Sequence, residues 1–274
     1  MDGMLRALIL GIVQGLTEFL PVSSSGHLEL AKYFLDDHSV ASQSMLMTVT
    51  LHGATALSTI VVFRKDIARL LAGLFEWPVR EGRLHFGDSQ LYSAKIVLSM
   101  VPAAVVGLLF DEELEALFDR QVPLVCMMLF VTGLLLLLAD RARHTDKQVG
   151  FWHSLVIGLA QAVAILPGIS RSGSTIATSV LLGIDRNEAA RFSFLMVVPL
   201  ILGKMAKDIM DGAFAQSTEG LLVLGVGFTA AFLSGLLACT WMISLVRRAK
   251  LTWFAVYCFV VGGVVLLVYY GAGQ

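Results

Sequence analysis

Charged residues are scarce in this chain. Asp, Glu, Lys and Arg make up 15% of its 274 residues, against roughly 25% in an average soluble domain. With 57% of the chain hydrophobic, an ordinary water-soluble fold is excluded. An excess of either sign is also missing. Twenty basic residues face 21 acidic ones, so nothing points to nucleic acid as a partner. Cysteine is limited to Cys126, Cys239 and Cys258, each inside an apolar run and none in a CxxC pair. Neither a disulfide framework nor a zinc site is expected, and the three read as small buried hydrophobes. The stretch 1–20 carries Arg6 and an apolar segment, but Glu18 and Pro21 interrupt it before any small-residue cleavage site. It reads as mature structure.

What the chain has in abundance is apolar runs. Segments 46–63, 96–110, 122–139, 192–205, 221–246 and 252–270 are candidates to cross a hydrocarbon core of about 30 Å. Positive charge gathers in alternate connections: Arg64, Lys65, Arg69, Arg80, Arg83 and Lys95, then Arg141, Arg143 and Lys147, then Arg186 and Arg191, then Arg247, Arg248 and Lys250. By contrast, Asp111, Glu112, Glu113, Glu115 and the stretch 208–219 are acidic or neutral. The positive-inside rule puts the basic connections in the cytoplasm and the others outside.

Two further stretches form an internal repeat. The run 14–27, QGLTEFLPVSSSGH, returns in degenerate form as 161–174, QAVAILPGISRSGS. Gly11 and Gly158, Gln14 and Gln161, and Gly26 and Gly173 all stand 147 positions apart, while Pro21 and Pro167 are 146 apart. Each copy is an apolar helical stretch broken by Pro and followed by a Ser-Gly loop. Orientation tests the repeat. Segment 122–139 ends inside and 192–205 begins there, so 151–183 enters from the cytoplasm and returns to it. By the same count 4–34 enters from outside and returns outside. The expected fold is an all-α polytopic membrane protein, one integral membrane domain over 1–274. It is built as an inverted repeat of about 1–145 and 146–274. Each half contributes one re-entrant helical hairpin plus three transmembrane helices, and the two tips meet near the midplane. Interrupted apolar segments at matching points of two halves point to a polar site at the repeat interface.

The polar residues at the tips carry the chemistry. Gln14 and Glu18 are spaced i, i+4 and share a helix face. A carboxylate in apolar surroundings reads as a divalent-metal ligand or a general base, with a structural hydrogen-bonding role as the plainer alternative. One carboxylate and an amide oxygen suit Mg²⁺ or Ca²⁺ completed by substrate phosphates. Arg171 lies between Ser170 and Ser172 in the second tip, far from the cytoplasmic clusters. Its guanidinium fits a phosphate, the alternative being an ion pair with Glu18 across the repeat interface. His27 follows Ser23, Ser24, Ser25 and Gly26, which suggests acid/base work or activation of a hydroxyl. Spacing alone leaves open which hydroxyl attacks. His52 is read as bonded to neighbouring backbone or lining the cavity, and Lys204 and Lys207 as snorkelling. Neither tip is a P-loop, for the Lys of GxxxxGK[ST] is missing. The upstream basic element and downstream His of the type 2 phosphatidic-acid phosphatases are absent as well.

At these positions the chain resembles the bacterial undecaprenyl-diphosphate phosphatases of the bacitracin-resistance family. Gln14 and Glu18 match its [E/Q]xxxE element, 21–27 its Ser-Gly-His tip, and 167–175 its PGxSRSxxT element. Gln14 stands where many members carry Glu. The resemblance implies a hydrolase that removes the terminal phosphate of undecaprenyl diphosphate, a polyprenyl diphosphate lipid, to give the carrier lipid of cell-wall synthesis. It implies a multi-pass protein of the bacterial plasma membrane whose site opens to the outer face, and a need for a divalent cation. Position by position, it implies Ser24 as nucleophile assisted by His27, and Glu18 with Gln14 at the metal. Arg171, Ser170 and Thr175 would sit at the phosphates, and Ser23, Ser25, Gly26, Ser172 and Gly173 would complete their cradle. A homodimer is left open. Inverted repeats with broken helices also build transporters, so a polyprenyl-phosphate carrier or flippase is the rival expectation, one that needs an anion site but no activated hydroxyl.

Overall fold

The computed structural model describes residues 3–34, 45–76, 79–80, 83–84, 86–110, 113–114, 117, 121–210, 212, 220–247 and 250–271. Apart from a two-residue ladder pairing Val79–Arg80 with Arg83–Leu84, the described residues form helices and their connections. In chain order these are α1 (Gly3–Phe19), α2 (Ser24–Phe34), α3 (Met45–Val62), α4 (Arg64–Leu74), α5 (Asp88–Leu109) and α6 (Val122–Asp140). They continue as α7 (Phe151–Val163), α8 (Arg171–Leu181), α9 (Arg186–Met210), α10 (Leu221–Arg247) and α11 (Leu251–Gly271).

Local chemistry sets the boundaries. Pro21 disfavours helix at the residue before it, and α1 closes at Phe19. Ser23 then adopts a left-handed backbone, φ 70°, before α2 begins. At the second break Pro167 precedes Gly168, whose φ of 95° suits a residue without a Cβ. The Ser170 side chain caps α8 by accepting the Gly173 N–H. Gly183, at φ 86°, ends that helix in the left-handed conformation helices favour just past their last residue.

Among the described residues, five helices, α5, α6, α9, α10 and α11, are long and apolar enough to cross a membrane. The pair Leu46–Val62 and Arg64–Leu74 passes the same test only when taken together, across a bend of 81°. The basic connection expected after residue 63 thus begins with a helix. The chain stays helical beyond Val62, turning so that its basic, amphipathic segment leaves the direction of α3. Leu134, Leu237, Trp253 and Leu267 are exposed on these helices, as apolar surfaces facing lipid would be.

Small residues allow the closest approaches. A Cβ on Gly11 would stand 2.5 Å from the Gly227 carbonyl oxygen, and one on Gly15 would stand 2.5 Å from that of Ala231. These two glycines let α1 lie directly on α10. In the same way a Cβ on Gly158 would stand 2.4 Å from the Ser99 carbonyl oxygen, where α7 lies on α5. Helix α3 packs on α9 and α10, and α6 on α8 and α11. The main core gathers Phe19, Phe63, Leu136, Ile157, Ile176, Phe192, Phe194 and Met242.

Candidate active site

The two breaks meet. A Cβ on Gly26 would lie 3.0 Å from the Gly168 Cα, and one on Gly173 would lie 3.2 Å from the Pro21 Cβ. Ser172 Oγ donates to the Leu20 carbonyl at 3.2 Å, a further bond between the tips. Glycine at these positions is a packing requirement, because a side chain on either would push the tips apart.

Glu18 is the centre of the cluster. Only 4% of its side chain is exposed, so its charge needs partners from both tips. Arg171 pairs with Oε1. Ser24 Oγ donates to Oε2 at 2.7 Å, and Gln14 Nε2 donates to the same oxygen at 2.9 Å. The structure thus brings Gln14, Glu18, Ser24 and Arg171 together. The ion pair weighed as the alternative partner of Arg171 is formed. Arg171 is the first residue of α8, directly after its cap Ser170.

His52 has a larger part than its sequence position suggests. Its Nδ1 lies 3.1 Å from Gln14 Nε2 and 3.9 Å from Glu18 Oε2. Because the amide nitrogen can only donate, Nδ1 is the acceptor in the first contact. The expected bond to backbone is replaced by a link to the site. Lys204 pairs with Asp208 at 3.2 Å instead of standing alone at a helix end.

The hydrogen bonds of His27 run to Ser23 and Tyr257 rather than to Ser24. Its Nδ1 contacts the Ser23 carbonyl at 2.8 Å and its Nε2 the Tyr257 hydroxyl at 2.8 Å. Ser23 Oγ lies 3.4 Å from Ser25 Oγ and accepts the Gly26 N–H at 3.2 Å. In the second tip Ser170 Oγ lies 3.3 Å from Ser172 Oγ, while the Ser170 N–H donates to Thr132. Thr175 Oγ1 donates to the Arg171 carbonyl at 2.9 Å and lies 2.5 Å from Ser193 Oγ. A pocket beside this network is lined by Glu18, Arg171, Ser172, Ser193, Thr59 and Phe194, among others. Its walls mix the ion pair and hydroxyls with apolar side chains.

Tyr257, Ser193 and Thr59 escaped the sequence reading. A tyrosine in an apolar helix usually finds a partner for its hydroxyl, which flags Tyr257 without naming His27. Among the described residues, no three His, Cys, Asp or Glu side chains gather as a metal cluster. Gln14 Oε1, however, is fully buried and has no hydrogen-bond partner. It and the Glu18 carboxylate fit a site in which substrate oxygens supply the other ligands.

Comparison with known proteins gives the chain its relatives. A protein of Christiangramia forsetii named undecaprenyl-diphosphatase is 58% identical over 258 residues, covering 93% of this chain and 94% of that one. A protein of the same name from Bacteroides fragilis is 43% identical over 267 residues, 96% of this chain and 97% of its own length. Another from Methanobrevibacter smithii is 37% identical over 273 residues, 96% of each. The model of the family described as bacitracin resistance protein BacA matches residues 7–264, and the chain belongs to that family.

Proposed function

We propose that this chain is a membrane-embedded phosphatase that hydrolyses undecaprenyl diphosphate to undecaprenyl phosphate and inorganic phosphate. The relatives' shared name supplies the substrate. The observation that carries the reading is the Ser24 hydroxyl resting on the Glu18 carboxylate beside Arg171. A carrier needs the cation but gains nothing from a hydroxyl paired with a base, so this contact favours catalysis over transport.

In the proposed reaction the terminal phosphate enters between the tips and draws Arg171 from Glu18 onto its oxygens. Ser24 Oγ attacks the terminal phosphorus as its proton passes to Glu18. The bond to the bridging oxygen breaks, and undecaprenyl phosphate leaves with the electron pair. Water then attacks the phosphoserine as its proton passes to His27. Glu18 returns its proton to Ser24 Oγ as the serine P–O bond breaks, and inorganic phosphate is released. Phosphoryl transfer asks chiefly for positioning and charge stabilisation, which Arg171 and the N–H groups at the start of α8 supply. Ser170, Ser172 and Thr175 from the second tip and Ser23 and Ser25 from the first would complete the phosphate cradle, with Gly26 and Gly173 letting the tips touch. Glu18 and Gln14 would hold Mg²⁺ or Ca²⁺, which when bound would neutralise charge on the phosphates.

The membrane arrangement belongs to the same proposal. The halves form an inverted repeat whose hairpins, α1–α2 and α7–α8, are re-entrant, with the site opening to the outer face of the bacterial plasma membrane. Supporting this, α1 lies on α10 through Gly11 as α7 lies on α5 through Gly158, and exchanging the halves interchanges the two contacts. Irregular backbone at membrane depth is tolerated where it is buried in protein, as the two tips are.

The test is release of phosphate by purified, detergent-solubilised protein from undecaprenyl diphosphate labelled in its terminal phosphate. Label in the aqueous phase with undecaprenyl phosphate in the lipid phase supports the proposal. Well-folded protein that binds the lipid and leaves it intact would favour the carrier.

A further inference from the structure

His27 sits one turn into α2, and its two ring nitrogens are both committed. Nδ1 lies 2.8 Å from the Ser23 carbonyl oxygen, which can only accept, so Nδ1 carries the proton. In the neutral ring Nε2 is then the acceptor, and the Tyr257 hydroxyl at 2.8 Å donates to it. The two rings also stack, with centroids 5.6 Å apart and planes 13° apart. Three independent restraints therefore fix one tautomer and one ring plane.

Both supports of the ring are themselves anchored. Ser23 holds its carbonyl through a left-handed backbone, φ 70°, which is uncommon outside glycine. Tyr257 comes from α11, the last helix, whose neighbouring Cys258 Sγ lies 3.9 Å from the Pro21 carbonyl. Cys258 is buried with Val22, Val125 and Cys126 in one apolar cluster that joins α11 to the first tip and α6. The start of α11 is fixed as well, where Asp140 accepts the Leu251 N–H at 3.1 Å.

We infer that Tyr257 is a positioning residue for the reaction proposed above, acting through His27. It holds the imidazole in the Nδ1–H form, which leaves Nε2 as the ring's basic nitrogen for the proton of the attacking water. The inference rests on the phosphatase reading, because a carrier has no proton to place. Loss of the hydroxyl frees the ring to take the other tautomer or rotate about χ2. The phosphate cradle around Arg171 is untouched, so the effect falls on turnover and spares binding.

The experiment compares wild type, Tyr257→Phe, His27→Ala and the double variant in phosphate release from undecaprenyl diphosphate. It adds ¹⁵N NMR of the ring nitrogens in ¹⁵N-histidine-labelled protein, with His27 assigned by its loss in His27→Ala. Tyr257→Phe keeps the ring and the stack, so the fold is preserved. Its expected kcat is about tenfold lower at little-changed KM, the order of one hydrogen bond. The His27 signals should shift away from a single Nδ1–H tautomer, and Tyr257→Phe should cost nothing further once His27 is alanine. Wild-type kcat in Tyr257→Phe overturns the inference. So does a loss of kcat with unmoved His27 signals, or a loss that persists in the His27→Ala background. Wild-type protein that releases no phosphate overturns the phosphatase reading itself, and the role of Tyr257 with it.

Discussion

Ser24 and Glu18, six residues apart across the Pro21 turn, share a hydrogen bond of 2.7 Å that sets the hydroxyl against a buried carboxylate. The other oxygen of Glu18 faces Arg171 from the second tip. One carboxylate therefore accepts a hydrogen bond from its own tip and is counterion for the opposite one. In the proposed reaction an arriving phosphate would compete for Arg171 and leave Glu18 with more of its charge for Ser24. Substrate binding and activation of the hydroxyl would then be coupled through a single residue.

Arg171→Lys should lower kcat/KM by about a hundredfold, because a point charge cannot replace the fork at a phosphate. Arg171→Ala should be inactive and also destabilised by about 3–5 kcal/mol, since Glu18 is left buried and uncompensated. Adding Glu18→Gln to Arg171→Ala should restore the thermal midpoint while leaving phosphate release absent. Thermal unfolding in detergent beside the release assay separates the two effects. A double variant no more stable than Arg171→Ala contradicts the pairing as the source of the loss.

Gln14→Glu tests the cation. The variant places a second carboxylate where the buried amide oxygen stands, and many family members carry Glu there. The divalent-ion concentration giving half-maximal phosphate release should fall by about tenfold, and direct Mg²⁺ or Ca²⁺ titration should show the same tightening. Chelator should abolish release in both proteins. Unchanged ion dependence, or activity that survives chelation, argues against a cation at Gln14 and Glu18.

Gly26→Val should abolish turnover while the protein still inserts, because the new side chain would enter the contact with Gly168 and Val125. Gly203→Val is the matched control, with nothing within 4 Å of a Cβ at that position. It should retain wild-type release. Membrane fractionation and the release assay together read the outcome. Failure of Gly26→Val to insert would make this glycine purely structural.

Much of the site was legible because its signals are local. Proline followed by Ser and Gly marks both breaks, and the i, i+4 spacing of Gln14 and Glu18 places them on one helix face. The repeat offset paired Gly26 with Gly173, and each supports the contact between the tips. Other features depend on partners that no local pattern names. His52 gains its role from Gln14, reached only when α3 lies beside α1. Tyr257 gains its role from His27, 230 positions away. The bend from α3 into α4 has no signature in composition, because a cytoplasmic connection and an amphipathic helix carry the same basic residues.

The central claim is that phosphate leaves through the Ser24 hydroxyl under the influence of Glu18. The most direct measurement is the initial rate of inorganic phosphate release from undecaprenyl diphosphate by purified wild type and Ser24→Ala, side by side with divalent cation present. The account predicts release by wild type and a loss of roughly three orders of magnitude or more in the variant, with unfolding unchanged. A Ser24→Ala protein that releases phosphate at the wild-type rate would contradict it and hand the attack to a water molecule.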